Sequence, residues 1–139
     1  MIRVLVVDDS AIIRAIIGRA LTQDPLIEVI GTAVDGIDAL TKIRSLRPDV
    51  VTLDVEMPRL NGIGVLERVV GKAPVNFLMV STLTQVGARV TFEALQKGAV
   101  DYIAKPTAAG KAALPEFKAQ LIQKVRAAAR ARARRRVAP

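Results

Sequence analysis

The 139-residue sequence contains no cysteine and no histidine. The first absence excludes a disulfide framework and thiol chemistry. The second removes a Ser/His/Asp triad, a histidine general base and every histidine-based metal site. Tryptophan is also missing, and aromatic residues make up only 3% of the chain. That leaves little from which to build a base-stacking platform for nucleic acid. No apolar run approaches the ~18 residues of a membrane span, so membrane insertion is not expected. Met1-Ile2-Arg3 leads straight into a strand-like segment without the layout of a signal peptide, and the cytosol is the expected compartment.

What is present describes one globular domain. Hydrophobic residues make up 51% and charged residues 24%, enough to bury a sizeable core at this length. The net charge of +8 is unevenly spread. Residues 1–110 carry 12 basic and 12 acidic side chains, whereas residues 111–139 carry 9 basic ones and a single acid, Glu116. A nucleic-acid reading would rest on Arg130, Arg132, Arg134, Arg135 and Arg136 alone. With no aromatic residue among these arginines, the segment reads better as a solvated Ala/Arg linker, and nucleic acid is not an expected partner.

Five apolar, β-branched runs recur along the chain: Ile2–Val7, Ile27–Val34, Val50–Asp54, Asn76–Val80 and Val100–Ala104. Most are continuous rather than alternating, as in strands covered on both faces. Helix-period stretches separate them at Ala11–Leu21, Ile37–Leu46, Ile63–Val70 and Val86–Gln96, and Pro115–Arg130 follows the last run. In that last stretch Phe117, Leu121, Ile122, Val125 and Ala128 share one face. Ser10 and Asp35 suit helix caps, Pro115 a first helical turn, and Gly71 and Gly98 helix ends. Five β-then-α alternations predict an α/β fold, a doubly wound five-stranded parallel sheet joined by right-handed crossovers.

In such a sheet the chemistry gathers beyond the carboxyl ends of the strands. The first run ends in Asp8-Asp9, the third in Asp54 followed by Val55-Glu56-Met57-Pro58, the fourth in Ser81-Thr82, and the fifth in Lys105-Pro106. Taken singly, Asp9 or Ser81 reads as a helix cap, Lys105 as a surface charge and Tyr102 as packing. Taken together they form a pattern. Converging carboxylates repel, and a hard divalent ion with oxygen ligands relieves that repulsion. A carboxylate beside such an ion is a nucleophile toward phosphorus, with Lys105 and Ser81 placed to share the charge of the transferring group.

With these residues assembled, the chain resembles the receiver domain of two-component response regulators. The matching pieces are Val6-Val7-Asp8-Asp9-Ser10, Leu53-Asp54-Val55-Glu56-Met57-Pro58, Val80-Ser81-Thr82 and Asp101-Tyr102-Ile103-Ala104-Lys105-Pro106. The resemblance implies a flavodoxin-like (βα)5 sheet of strand order 2-1-3-4-5. It makes Asp54 the phosphoacceptor. It places Mg²⁺, with Mn²⁺ as a substitute, on the side chains of Asp9 and Asp54, on the backbone carbonyl of Glu56 and, largely through water, on Asp8. Lys105 would contact the phosphoryl group. Ser81 would reorient toward it, and Tyr102 would swing inward. The donor would be a phosphohistidine on a partner kinase, and the only chemistry of the chain itself would be phosphorylation and dephosphorylation of Asp54.

A narrower likeness rests on Asp54-Val-Glu-Met-Pro-Arg-Leu-Asn-Gly, Ser81-Thr-Leu-Thr-Gln-Val-Gly and Gly98-Ala-Val-Asp-Tyr-Ile-Ala-Lys-Pro. These look like the receiver of chemotaxis protein-glutamate methylesterases, which precedes a linker and an esterase domain acting on chemoreceptors. On that reading residues 1–126 are the receiver and 127–139 the start of the linker. The kinase is of the chemotaxis type, and the methylesterase domain lies outside this chain. Asn61 departs from the acidic residue usual before the glycine, and Ser81 from the threonine common in receivers. A stand-alone receiver that acts by protein binding, or the receiver of a DNA-binding regulator, are the alternatives.

Overall fold

A computed structural model describes residues 1–82, 84–106 and 114–137, with the backbone alone for 132–137. Strands and helices alternate throughout. The order is β1 (Ile2–Val7), α1 (Ala11–Thr22), β2 (Ile27–Ala33), α2 (Gly36–Leu46), β3 (Val50–Asp54), α3 (Gly62–Val69), β4 (Asn76–Ser81), α4 (Gln85–Gln96), β5 (Asp101–Ala104) and α5 (Leu114–Val137). All four strand pairings are parallel, in the order β2-β1-β3-β4-β5. The fold class is as the sequence pattern predicts, and the strand order is the one the family resemblance implies.

Burial explains why the runs are continuous in the centre and broken at the rims. Every residue of β3 and β4 is buried, because helices cover both faces of the middle of a parallel sheet. The edge strands β2 and β5 each keep exposed positions. One face packs Val4, Val6, Val50, Leu78 and Val80 against α1 and α5 through Ile17, Leu21, Leu121 and Val125. The other packs Leu5, Val7, Val51, Leu53 and Phe77 against α2, α3 and α4 through Ile43, Leu66 and Ala94.

The helix ends follow the capping chemistry. Ser10 Oγ accepts from the backbone N–H of Ile13 at 3.3 Å, and Asp35 Oδ1 from that of Asp38 at 2.8 Å. Asn61 Oδ1 accepts from Gly64 N–H at 3.0 Å, so the departure at this position preserves the cap, which asparagine supplies as well as aspartate. Gly71 and Gly98 follow α3 and α4 with φ of 82° and 118°, in the left-handed region that glycine enters without a steric penalty.

The last helix buries the face expected for it. Phe117, Leu121, Val125 and Ala128 are buried, and Ile122 packs beside them. Polar contacts also tie this helix to the rest of the domain, among them two that reach the segment just after α1 and the start of β4. Arg126 Nε donates to Asp24 Oδ2 at 2.6 Å, and Asn76 Nδ2 to the Ala128 carbonyl at 2.8 Å. The helix continues through Ala127, where the sequence turns to alanine and arginine, as far as Val137. Both residue types favour helix.

Leu121, fully buried where α5 meets the sheet, is expected to hold the helix down. Leu121→Ala should cost about 2–5 kcal/mol in urea unfolding. Phe92→Ala, at a side chain 63% exposed on α4, should change stability by less than about 0.5 kcal/mol.

Candidate functional site

The carboxyl ends of β1, β3, β4 and β5 bring the predicted residues together. Asp8 follows β1, and its backbone N–H donates to the Ala33 carbonyl at 3.1 Å, extending the sheet by one residue. Its carboxylate is held by the N–H of Ser10 at 2.9 Å on Oδ1. Arg14 of α1 donates from Nη1 to the Asp8 carbonyl at 2.7 Å. Asp54 ends β3, with Glu56 N–H donating to its Oδ1 at 3.2 Å. Asp54 pairs in register with Val80 and Ser81 with Ala104, so Ser81 and Lys105 each stand one step beyond their neighbour. Lys105 is fixed by its N–H, which donates to the Ser81 carbonyl at 2.7 Å.

From that anchor the Lys105 Nζ reaches Asp54 Oδ2 at 3.1 Å and Asp8 Oδ2 at 3.3 Å. One carboxylate oxygen from each of Asp8, Asp9 and Asp54 lies within 4.8 Å of the other two. Asp8 and Asp54 are buried, whereas Asp9 is exposed. Glu56 is exposed and is not one of the three clustered carboxylates. Ser81 is buried at the end of β4, and Tyr102 on β5 is 48% exposed. The Lys124 Nζ lies 5.6 Å from the centre of the Tyr102 ring and 3.0 Å from Asp101 Oδ2.

The electrostatics of the site are dominated by burial and by the closeness of its carboxylates. Burial, and next the charge of Asp8, push the Asp54 carboxyl up to about 7. Burial likewise raises Asp8, against the pull of the Ser10 N–H and of Lys105. Burial opposes the charge on Lys105, but Asp54 and Asp8 together outweigh it and raise its pKa. Ionising both buried carboxylates, Asp8 and Asp54, against the one Lys105 ammonium that bridges them would leave surplus negative charge. In addition, Asp8 Oδ2 and Asp54 Oδ2 are buried without a hydrogen-bond partner, their contact with Lys105 being an ion pair only. An all-oxygen donor set with surplus negative charge and unsatisfied lone pairs fits a hard divalent cation.

Two glycines fix the loop that carries Asp54. A Cβ on Gly62 would stand 2.7 Å from the Asp54 carbonyl oxygen, and one on Gly36 would stand 2.1 Å from that of Leu60. The loop after β3 can therefore lie flat against the starts of α2 and α3 only because both lack side chains. Arg59, in the same loop, pairs with Asp35 Oδ2 at 3.6 Å. The roles of Gly62, Gly36 and Arg14 are not apparent from sequence spacing. The one local signal is the Asn61-Gly62 pair at the start of a helix.

The profile of the response regulator receiver domain matches residues 4–114. The chain belongs to that family. It is 50% identical over 128 residues to protein-glutamate methylesterase/protein-glutamine glutaminase 1 of Geobacter sulfurreducens, a match covering 92% of this chain and 35% of that protein. To the corresponding protein of Caulobacter vibrioides it is 52% identical over 133 residues, covering 96% of this chain and 38% of the relative. The crystal structure of the response regulator domain of Thermotoga maritima CheB superposes with a TM-score of 0.83 at 45% identity, covering 94% of this chain and 97% of that one. The receiver thus spans little more than a third of the length of these curated relatives. Among the described residues no helix is long and apolar enough to cross a membrane.

The raised Asp54 pKa has a consequence for stability. A carboxyl that titrates near 7 when folded and near 3.8 when unfolded favours the folded state at low pH, and that contribution is lost as pH rises between the two values. In EDTA the midpoint of thermal unfolding should therefore fall from about pH 5 to about pH 8, and Asp54→Asn should flatten the fall by several degrees. Millimolar Mg²⁺ should raise the midpoint of the wild-type receiver more than that of the variant.

Proposed function

We propose that this receiver is the phosphoacceptor part of a cytoplasmic chemotaxis response regulator, in which Asp54 accepts a phosphoryl group and thereby switches a C-terminal protein-glutamate methylesterase domain. The reading is supported above all by the Asp8–Asp9–Asp54 cluster with Lys105 bridging two of its members. For the output domain, the support is the identity of about half with relatives that carry the methylesterase name.

In the proposed reaction an Asp54 carboxylate oxygen bonds to phosphorus while the P–N bond of a kinase phosphohistidine breaks, the imidazole leaving with a proton. The product is an aspartyl phosphate. Mg²⁺, or Mn²⁺ in its place, would be held by Asp8, Asp9, Asp54 and the Glu56 carbonyl, and would supply charge neutralisation for the carboxylates and for the transferring group. Lys105 holds Asp54 oriented through the ion pair at 3.1 Å and then balances charge on the phosphoryl oxygens. Ser81 turns its hydroxyl toward the phosphoryl group, vacating space on the β4–β5 side. Tyr102 leaves its exposed position and moves inward, which alters the surface formed by α4, β5 and α5. Slow hydrolysis of the aspartyl phosphate resets the domain.

In the longer protein the unphosphorylated receiver would cover the esterase site, and phosphorylation would release it to hydrolyse methyl-glutamate esters on chemoreceptors. Phosphorylation can shift that balance only by its differential interaction with the two arrangements.

Acetyl phosphate with Mg²⁺ should label the wild-type receiver at Asp54, and Asp54→Asn should remove the label. A label that persisted in the variant would place the acceptor elsewhere. Because Tyr102 is the single tyrosine and tryptophan is absent, intrinsic emission reads the switch directly. It should change on phosphorylation of the wild type and change much less in Lys105→Ala. For the output, an antibody against this receiver should detect in the source cells a species roughly three times the length of this chain, the proportion of the curated relatives. Its C-terminal peptides should carry an esterase. A DNA-binding sequence there, or a species of about 15 kDa, would overturn the methylesterase reading and leave the phosphoacceptor intact.

A further inference from the structure

The end of the sheet opposite Asp54 holds a cleft of about 800 Å³ that the phosphoacceptor chemistry does not use. It lies between α2 and α3, beneath the segments that enter β1, β3 and β4. Arg3, Arg44, Arg47, Arg68 and Lys72 line it, against one carboxylate, Asp49. None of these five cations forms an ion pair among the described residues. Two are braced by the backbone. Arg3 Nη1 donates to the Arg47 carbonyl at 2.8 Å, and Arg68 Nη1 to the Gly64 carbonyl at 3.0 Å. A guanidinium carries five N–H donors, so both keep donors for a ligand.

Two more features separate this cleft from an ordinary basic surface. Leu40, Ile43, Val69 and Val75 also line it, in a cavity within the size range of small-molecule sites. Arg47, which ends α2, has φ 51° and ψ 63°. Glycine takes this left-handed conformation freely and is the usual residue after a helix. Arginine is strained there, and the helix cap that holds it, with the Arg47 N–H donating to the Ile43 carbonyl at 3.0 Å, fixes it in the wall of the cleft. Five like charges gathered with one acid are mutually repulsive and favour an anion between them.

We propose that this cleft binds an organic polyphosphate of nucleotide size. Its phosphate oxygens would take charge-assisted hydrogen bonds from the arginines and Lys72, and its apolar or aromatic part would lie against Leu40, Ile43, Val69 and Val75. Because the cleft and Asp54 occupy opposite ends of β3, this site and the phosphoacceptor reading stand or fall separately.

Calorimetric titration with ATP and with inorganic tripolyphosphate, both in EDTA, tests the proposal. EDTA prevents a metal ion from bridging the phosphates to Asp8, Asp9 and Asp54. ATP should saturate a single site with a Kd of the order of micromolar, and tripolyphosphate should bind at least about tenfold more weakly. Arg47→Gly should weaken ATP by about tenfold or more while raising the thermal midpoint, because glycine relieves the strained backbone. Misfolding therefore cannot account for the loss. Arg44→Ala should weaken ATP comparably, and both variants should accept the Asp54 label as the wild type does. Absence of ATP binding below several millimolar, undiminished binding in both variants, or tripolyphosphate binding as tightly as ATP would each overturn it.

Discussion

Mutual repulsion among Asp8, Asp9 and Asp54 is the constraint around which the domain is arranged. Two of the three carboxylates are buried, in surroundings that favour protonation, and a single ammonium answers them. Such an arrangement persists only if the backbone gives it no way to relax. The sheet provides that rigidity. β1 and β3 are neighbours, so their carboxyl ends stay together whatever the charge, and the fully buried β3 and β4 set the depth at which Asp54 sits. The glycine contacts at Gly62 and Gly36 clamp the loop that follows. Folding energy from the apolar core holds together a cluster of charge whose donor set fits a divalent cation.

Complete burial is confined to the centre of the sheet. Around Asp54 the strands are covered on both faces, whereas β5 is a four-residue edge strand with Tyr102 half in solvent. Asp54, the proposed phosphoacceptor, thus sits in the most deeply covered part of the sheet, and Ser81 and Tyr102 lie on β4 and on the edge strand β5 beside it. Lys105 links the two regions. Its backbone is bonded to β4 while its side chain belongs to the carboxylates. A change of charge at Asp54 would therefore act on a side chain whose backbone is anchored to β4.

Much of this was legible in the sequence because the signals are local. Continuous apolar runs mark the strands, and Ser10 and Asp35 mark helix starts through hydrogen bonds spanning three residues. The carboxylates and Lys105 are recognisable from their places at strand ends, and helix–strand alternation puts those ends on one side. Contacts that depend on the packed backbone carry no such signal. Gly62 matters because α3 begins against the Asp54 carbonyl, and Arg14 because one turn of α1 brings it back over Asp8. The opposite cleft is illegible for the same reason. Its cations come from β1, the end of α2, α3 and the loop before β4, and read in sequence order they are ordinary surface charges. The strained conformation of Arg47 appears only in the backbone angles.

If the proposed phosphorylation of Asp54 acts on a further domain, its magnitude limits what the contact between them can be. Coupling between two sites in a domain of this kind is commonly about 1–3 kcal/mol, a factor of roughly 5 to 150. If phosphorylation of Asp54 is to uncover an active site elsewhere in a longer protein, the covering contact cannot be more favourable than the open arrangement by much more than that amount. A large apolar interface, of the kind that joins obligate subunits, would stay shut whatever the state of Asp54. A receiver that acted in the proposed way would need instead a modest, partly polar contact. The side chains of α4, β5 and α5 fit that requirement. Phe92 and Val86 are apolar and exposed, and Lys124 and Asp101 beside Tyr102 are paired to each other. An inward turn of Tyr102 would remove an aromatic ring from such a surface and leave Lys124 without its ring contact, a loss of the size the coupling can supply.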